Sequence, residues 1–385
     1  MRRAAIGLLL GTLIAALADS SSLAASLPGP TGPFAIGRRV LRWTDVSRRE
    51  VLSASPADTR GVVAWIWYPA ARSPAGKPAA YVDALDRVAK GLTRAETSLA
   101  RKGVTHALDS VAPAGESSPW PIVLFSPGSG MLPALYTTFA EELASHGYVV
   151  VGIDHPYDDR AVLLSDGRVV SQAKQPSGGD ELLRFERERV GVRTADLRFA
   201  LDQMTRIERG ELADSLSGHL DLSQVGVFGH SVGGMTAAQF CQEDTRVRAC
   251  GNLDGVVAAM PAYVEAGRGM DRPFLFIQKP FPAMRGESAL AAEQRVRRLM
   301  AKGDVVLEGV RAGRSYRVTV ADATHDSFSD LEVLTKDSVR HQHLLLLIRD
   351  HLRAFFDCHL KGETSTLLDR EPVDRAVQVR RFDPR

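Results

Sequence analysis

The run Val225-Gly226-Val227-Phe228-Gly229-His230-Ser231-Val232-Gly233-Gly234 constrains this chain more than any other segment. Its first four residues read as a buried strand, and the small residues of Met235-Thr236-Ala237-Ala238 open a helix that can pack close to a sheet. Between them lies G-x-S-x-G. A serine at such a strand-to-helix turn is lifted clear of the backbone, above a sheet edge. The flanking glycines have a steric reason. A side chain at Gly229 or Gly233 would meet the neighbouring strand or helix, and a tight turn often needs positive φ. The plain alternative is a Gly-rich turn with an incidental serine. The strand before it and the helix after it favour a nucleophile at Ser231.

A neutral hydroxyl needs a base to take its proton and a third group to orient that base. On α/β folds with this elbow the chain order is serine, acid, histidine. Five histidines follow Ser231, and four of them (His341, His343, His351, His359) fall in or beside a C-terminal helical stretch. His325 instead follows the strand-like Tyr316-Arg317-Val318-Thr319-Val320 and sits in a polar loop. A loop off a late strand can carry an imidazole to the top of the sheet. For the acid, Asp254 ends the apolar segment Cys250-Gly251-Asn252-Leu253, at the carboxyl end of the next strand, where open-sheet sites gather. Asp271 reads as opening a strand, Asp304 as a turn, and Asp322 as lying on the loop of His325. Oxyanion donors are expected from the backbone N–H of Val232 and of Ser129. The latter lies in Ser126-Pro127-Gly128-Ser129-Gly130 after the strand Ile122-Val123-Leu124-Phe125.

The chain begins Met1-Arg2-Arg3, runs apolar from Ala4 to Ala18 and then turns polar. That is the pattern of a secretory signal peptide, here residues 1–25, with cleavage after Ala18, Ala24 or Ala25. The run is short of the roughly 20 residues a transmembrane helix needs. The expectation is a secreted or periplasmic protein with a single domain over 26–385, large enough for a substantial core. A formal charge of +2 gives no electrostatic case for nucleic acid, nor for strong adsorption to anionic membranes. Of three cysteines, Cys241 ends the helix after Ser231 and Cys250 begins the next strand. In an exported protein these two are expected to pair, leaving Cys358 free; three buried thiols are the alternative.

Alternating strands and helices predict an α/β fold, a mostly parallel sheet with helices on both faces. Strands are expected over Arg39–Val46, Val62–Tyr68, Val149–Asp154 and Phe274–Ile277. Helices are expected over Tyr136–Ser145, Glu181–Ile207, Gln294–Met300 and Val339–Phe356. The segment Tyr81–Ala107 interrupts the strand rhythm. Val82, Leu85, Val88, Leu92 and Leu99 recur there at near-helical spacing, so residues 81–107 are read as a helical insertion folded over the site as a lid.

Several segments together resemble one family. They are Trp65-Ile66-Trp67-Tyr68-Pro69-Ala70, Leu124-Phe125-Ser126-Pro127-Gly128-Ser129-Gly130, Leu143-Ala144-Ser145-His146-Gly147-Tyr148 and Asp154-His155-Pro156-Tyr157. With them go the elbow, Asn252-Leu253-Asp254-Gly255 and His325-Asp326-Ser327-Phe328-Ser329-Asp330. In that order they resemble the platelet-activating factor acetylhydrolase family of α/β-hydrolases, in its bacterial exported branch, over about Thr31 to Gly362. The resemblance implies Ser231 as nucleophile, Asp254 as acid, His325 as base, and Ser129 and Val232 as oxyanion donors. It implies a serine esterase similar to 1-alkyl-2-acetylglycerophosphocholine esterases, acting on short acyl groups of phospholipids or other esters, without metal or cofactor. One position departs. Animal members carry His-Gly-x-Gly at the oxyanion loop, where this chain has Pro127, which has no N–H to give. His155 is read as structural, and His230 as facing away from the nucleophile.

The expected function is therefore an exported serine ester hydrolase in lipid degradation, with a small-molecule or lipid ester as partner and at most transient contact with a lipid surface. A lipase, cutinase-like enzyme or polyester hydrolase would use the same three residues. A non-catalytic binding protein on this fold is the rival of another class. Oligomeric state is not legible.

Overall fold

A computed structural model describes residues 27–72, 75–115, 119–177, 179–255, 270–281, 286–308, 313–336 and 338–384. The expected signal peptide, 1–25, lies outside the described residues. In chain order the strands are β1 (Ala35–Arg49), β2 (Thr59–Ala70), β3 (Pro78–Ala80), β4 (Val104–Asp109), β5 (Trp120–Ser126), β6 (Val149–Asp154), β7 (Ala161–Leu163), β8 (Val169–Ser171), β9 (Leu220–His230), β10 (Val247–Leu253), β11 (Phe274–Gln278), β12 (Ser315–Val320) and β13 (Val377–Phe382). The helices are α1 (Leu85–Val88), α2 (Arg94–Lys102), α3 (Thr137–Ser145), α4 (Gly179–Glu208), α5 (Val232–Glu243), α6 (Ala289–Glu308), α7 (Leu331–Lys336), α8 (Val339–Leu360) and α9 (Thr366–Asp369).

Among the described residues eleven strands form one sheet in the order β13-β12-β11-β10-β9-β5-β6-β2-β1-β4-β3. From β12 through β11, β10, β9 and β5 to β6 every pairing is parallel, while β13 and β2 join its two sides antiparallel. Strand β2 shows why the sheet is covered on both faces. Val63, Trp65 and Trp67 pack in one apolar cluster and Val62, Ala64, Ile66 and Tyr68 in the other, the two-residue period of a strand buried on both sides. Phe139 of α3 and Phe355 and Phe356 of α8 cover the first face; Leu197 and Leu201 of α4 and Phe240 of α5 cover the second.

The α/β architecture expected from the sequence is the one observed, with three local corrections. Residues 81–107 are helical only over α1, a short 3₁₀ turn and α2. Thr93 and Glu96 cap α2 reciprocally, and Gly103 follows its end. Val104 and Thr105 are β-branched, and Thr105 and Ala107 turn inward while Val104 and His106 do not, so Val104–Asp109 forms β4 instead. It pairs with β1 and β3. Asp304 is not in a turn but inside α6, paired with Arg317 and Arg380. Cys250 stands within β10 rather than at its start, and it is bridged to Cys241, with Cys358 free.

Candidate active site

Serine, acid and histidine emerge from the carboxyl ends of successive parallel strands. Ser231 follows β9, Asp254 follows β10, Lys279 follows β11, and the loop of His325 follows β12. The elbow is a steric solution. A Cβ on Gly229 would stand 2.0 Å from the Gly233 carbonyl oxygen, and one on Gly233 would stand 2.0 Å from that of Ser126. Helix α5 can therefore begin directly against β5. The positive φ expected of the glycines is carried by Ser231 itself, at φ 56° and ψ −122°. Such a conformation costs a non-glycine residue on the order of 1–3 kcal/mol and persists only where the surroundings fix it. Here the Ser231 N–H donates to the Leu253 carbonyl at 2.9 Å, tying the elbow to the strand that carries the acid.

Asp254 also has positive φ, and its N–H donates to the Ile277 carbonyl of the next strand. The His325 Nδ1–H donates to Asp254 Oδ2 at 2.6 Å. Lys279 Nζ donates to the same oxygen at 2.7 Å, and the Lys279 backbone N–H reaches Oδ1 at 3.2 Å. Burial would raise the Asp254 pKa, but the hydrogen bonds from His325 and Lys279 and the ammonium charge hold it below the usual carboxylate range. The Asp254 side chain is 7% exposed and that of His325 45%, so the acid is sheltered and the imidazole open to the cavity. Beneath His325 its loop is held by Glu332, which accepts from the Thr324 and Ser327 hydroxyls.

His230 is fully buried, yet it lines the cavity that Ser231 and His325 share. Its Nδ1 meets the Tyr136 hydroxyl at 2.8 Å, and its ring packs 4.5 Å from that of His325. Burial, and then the charge of His325, push its pKa down to about 3.

The oxyanion loop after β5 is held from outside. Arg189 Nη1 and Gln175 Nε2 donate to Ser129 Oγ at 2.9 and 3.0 Å, and the Gly128 N–H donates to the Tyr136 hydroxyl. Arg193 Nη1 donates to the Pro127 carbonyl at 2.6 Å. Pro127, with no N–H to offer, thus serves through its oxygen. Among the described residues no acceptor is recorded for the N–H of Ser129 or of Val232.

Both arginines come from α4 and pair with Asp158. Beside them, fully buried, the Ser126 hydroxyl meets His155 Nε2 at 2.9 Å, and His155 Nδ1 meets Asp196 Oδ2 at 2.8 Å. Burial, then the charge of Arg193, push the His155 pKa down to about 4. Asp196 is also gripped by Arg60 and Arg48.

Ser231, Ser129, His230 and His325 line a cavity of about 390 Å³. Leu92, Leu99 and Ala100 of the 81–107 segment form its opposite wall, with Leu132, Leu135 and Leu331. At its mouth Glu96 of α2 pairs with Arg160 at 2.9 Å. Asp271 and Asp322 lie outside this lining, Asp322 being exposed beside Arg340. Among the described residues no group of three or more ligand-type side chains is placed to hold a metal ion.

Lys279, Arg189, Arg193 and the Ser126–His155–Asp196 array escape sequence reasoning. The signals available for them were weak: a cation one residue past a strand, and two arginines four apart on a helix.

Residues 21–346 match the family model described as platelet-activating factor acetylhydrolase, isoform II. A protein of Arthroderma benhamiae named probable 1-alkyl-2-acetylglycerophosphocholine esterase is 29% identical over 265 residues, 64% of each chain. The platelet-activating factor acetylhydrolase of dog is 28% identical over 151 residues, 34% of each. The chain thus spans less than two thirds of the length of these curated relatives. A solved ferulic acid esterase from Streptomyces cinnamoneus superposes with a TM-score of 0.71 at 27% identity, covering 92% of this chain and 99% of its own.

Proposed function

This chain belongs to the platelet-activating factor acetylhydrolase family, isoform II, and on that premise we propose that it is a serine carboxylic-ester hydrolase. One observation carries the reading most directly. A serine in a strained turn and an imidazole bonded to a buried carboxylate share one cavity with Ser129 of the oxyanion loop, and Val232 follows the serine at the start of α5.

In this mechanism Ser231 Oγ attacks the ester carbonyl as His325 takes its proton. Asp254 keeps the proton on Nδ1 and balances the imidazolium. The N–H groups of Val232 and Ser129 receive the oxyanion. Collapse expels the alcohol, which takes its proton from His325. Water, deprotonated by the same imidazole, then cleaves the acyl-enzyme and releases the acid.

The substrates proposed are short-acyl esters, including the sn-2 acetyl group of phospholipids. A second reading, esters with a bulkier or aromatic acyl group, is favoured by the cavity of about 390 Å³ and by the likeness to a ferulic acid esterase. The basic start and apolar run of residues 1–25 support export to the periplasm or beyond.

The test is a panel of esters graded in acyl size, from acetyl through butyryl to feruloyl and including an acetylated phospholipid, run with Ser231→Ala as control. Turnover that survives Ser231→Ala overturns the mechanism. The ranking of acyl groups decides between the two readings.

A further inference from the structure

Resting on the triad reading above, we propose that Lys279 is a positioning residue that tunes the general base: by sharing Asp254 Oδ2 with His325, its ammonium weakens the carboxylate's hold on the imidazolium and keeps the enzyme active at lower pH.

The geometry separates two roles that one residue usually mixes. The Lys279 backbone N–H holds Asp254 Oδ1 at 3.2 Å, and that donor remains in the Gln, Arg and Met variants. The side chain holds Oδ2 at 2.7 Å, the oxygen that also takes the His325 Nδ1–H at 2.6 Å. Orientation of the carboxylate is therefore shared by main chain and side chain, while the positive charge belongs to the side chain alone. Two cations on one oxygen stand at most the sum of those two distances apart, well inside the Debye length of physiological salt.

When His325 accepts the Ser231 proton it becomes the second cation. A like charge nearby disfavours that form. The base is weakened by the same amount as its conjugate acid is strengthened. That acid must then protonate the departing alcohol, so the loss in the first proton transfer is a gain in the second.

The other charged groups around His325 do not duplicate this effect. His230, packed against it, is held neutral by burial. Asp326 follows it on its own loop, and Glu96 and Arg160 neutralise each other across the mouth of the same cavity. Lys279 is the cation that reaches Asp254 among the described residues.

The test compares kcat/KM against pH for wild type, Lys279→Gln and Lys279→Arg, using a neutral chromogenic ester read at an isosbestic wavelength. The acid limb reports the free-enzyme base. With the pair partly in water, Lys279→Gln should move that limb up by about half a pH unit. One unit below the wild-type midpoint this is a loss of roughly threefold when each enzyme is scaled to its own plateau. Lys279→Arg, which keeps the charge, should retain the wild-type limb. High salt should shrink the difference. Lys279→Met serves as the neutral variant if Gln disturbs folding. A limb that stays put in the neutral variant, or a plateau that falls at every pH without displacement, overturns the proposal and leaves Lys279 a structural tie. Failure of the underlying reading looks different: wild type would neither hydrolyse the esters nor react with a fluorophosphonate. In that event the His325 Cε1 proton, followed by NMR in wild type and Lys279→Gln, still tests the displacement without turnover.

Discussion

Ser126, His155 and Asp196 are hydrogen-bonded in the order of a nucleophile, a base and an acid, while a short way along the same sheet Ser231 shares a cavity with His325, which is bonded to Asp254. Three physical differences separate the two arrays. Ser126 belongs to regular strand β5 and is wholly buried, whereas Ser231 sits in a strained turn facing a cavity. Arg193 lies against Ser126 and its charge opposes a proton on His155, whereas the His325 side chain is 45% exposed. Asp196 spends its charge on Arg60 and Arg48 as well as on the histidine. A hydrogen-bonded Ser-His-Asp string is therefore not a catalyst by itself. The imidazole must have somewhere to hold a positive charge, and the serine must have something to attack.

The largest effect that would break this contrast lies at the serines. Ser231→Ala should lower ester turnover by roughly 10⁴–10⁶ and abolish fluorophosphonate labelling. Ser126→Ala should keep the labelling and instead lose about 1–3 kcal/mol of stability, because His155 Nε2 is left buried without its partner. Labelling at Ser126 would sink the distinction.

The acids should diverge next. Asp254→Asn should cost about 10⁴ in kcat by favouring the wrong tautomer of His325. Asp196→Asn should appear in urea denaturation rather than in the chemical step, as a loss of about 3–5 kcal/mol, because Arg60 then lacks part of its countercharge. If Asp254→Asn keeps near-wild-type turnover while Asp271 or Asp304 variants abolish it, the acid is misassigned.

The histidines give a smaller, pH-dependent signature. The folded-state pKa of His155, about 4, lies below the ordinary value of about 6.5. Between these values the unfolded chain binds a proton that the fold refuses. The stability this group confers is thus complete above about pH 6.5 and lost as pH falls toward 4, by at most about 3 kcal/mol. The stability gap between wild type and His155→Gln should narrow over that range. A gap that widens on acidification would mean that His155 is a cation paired with Asp196.

The smallest effect concerns the cover, which lies over one array only. Leu92→Ala should change the ratio of long-acyl to acetyl hydrolysis by about tenfold, more than it changes stability. A ratio that stays flat along the series Leu92, Leu99 and Ala100 would make α2 a packed edge rather than a wall.

Much of the open array was legible because its parts are local. Gly229, Ser231 and Gly233 announce a turn by their spacing, and Asp254 and His325 each follow a recognisable apolar strand. The buried array was not legible, because Asp196 reaches His155 from a helix 41 residues further on. Only the packing of α4 across β5 and β6 brings them together. Lys279 was missed for a similar reason: the register of β10 on β11, not any motif, sets its ammonium beside Asp254. Residues 104–107 went astray because apolar spacing carried the helix reading past Gly103, where β-branching and pairing with β1 prevail.

The bridge between Cys241 and Cys250 has a consequence for the integrity of the polypeptide. Ser231 lies upstream of the first cysteine and Asp254 downstream of the second, while Glu243 and Thr245 between them are exposed. A protease that cuts in that turn opens a main-chain break on the direct path from nucleophile to acid. The two remain in one covalent piece all the same, because the route through sulfur bypasses the cut. Hydrolysis at this turn would change the number of chain ends without changing the number of molecules.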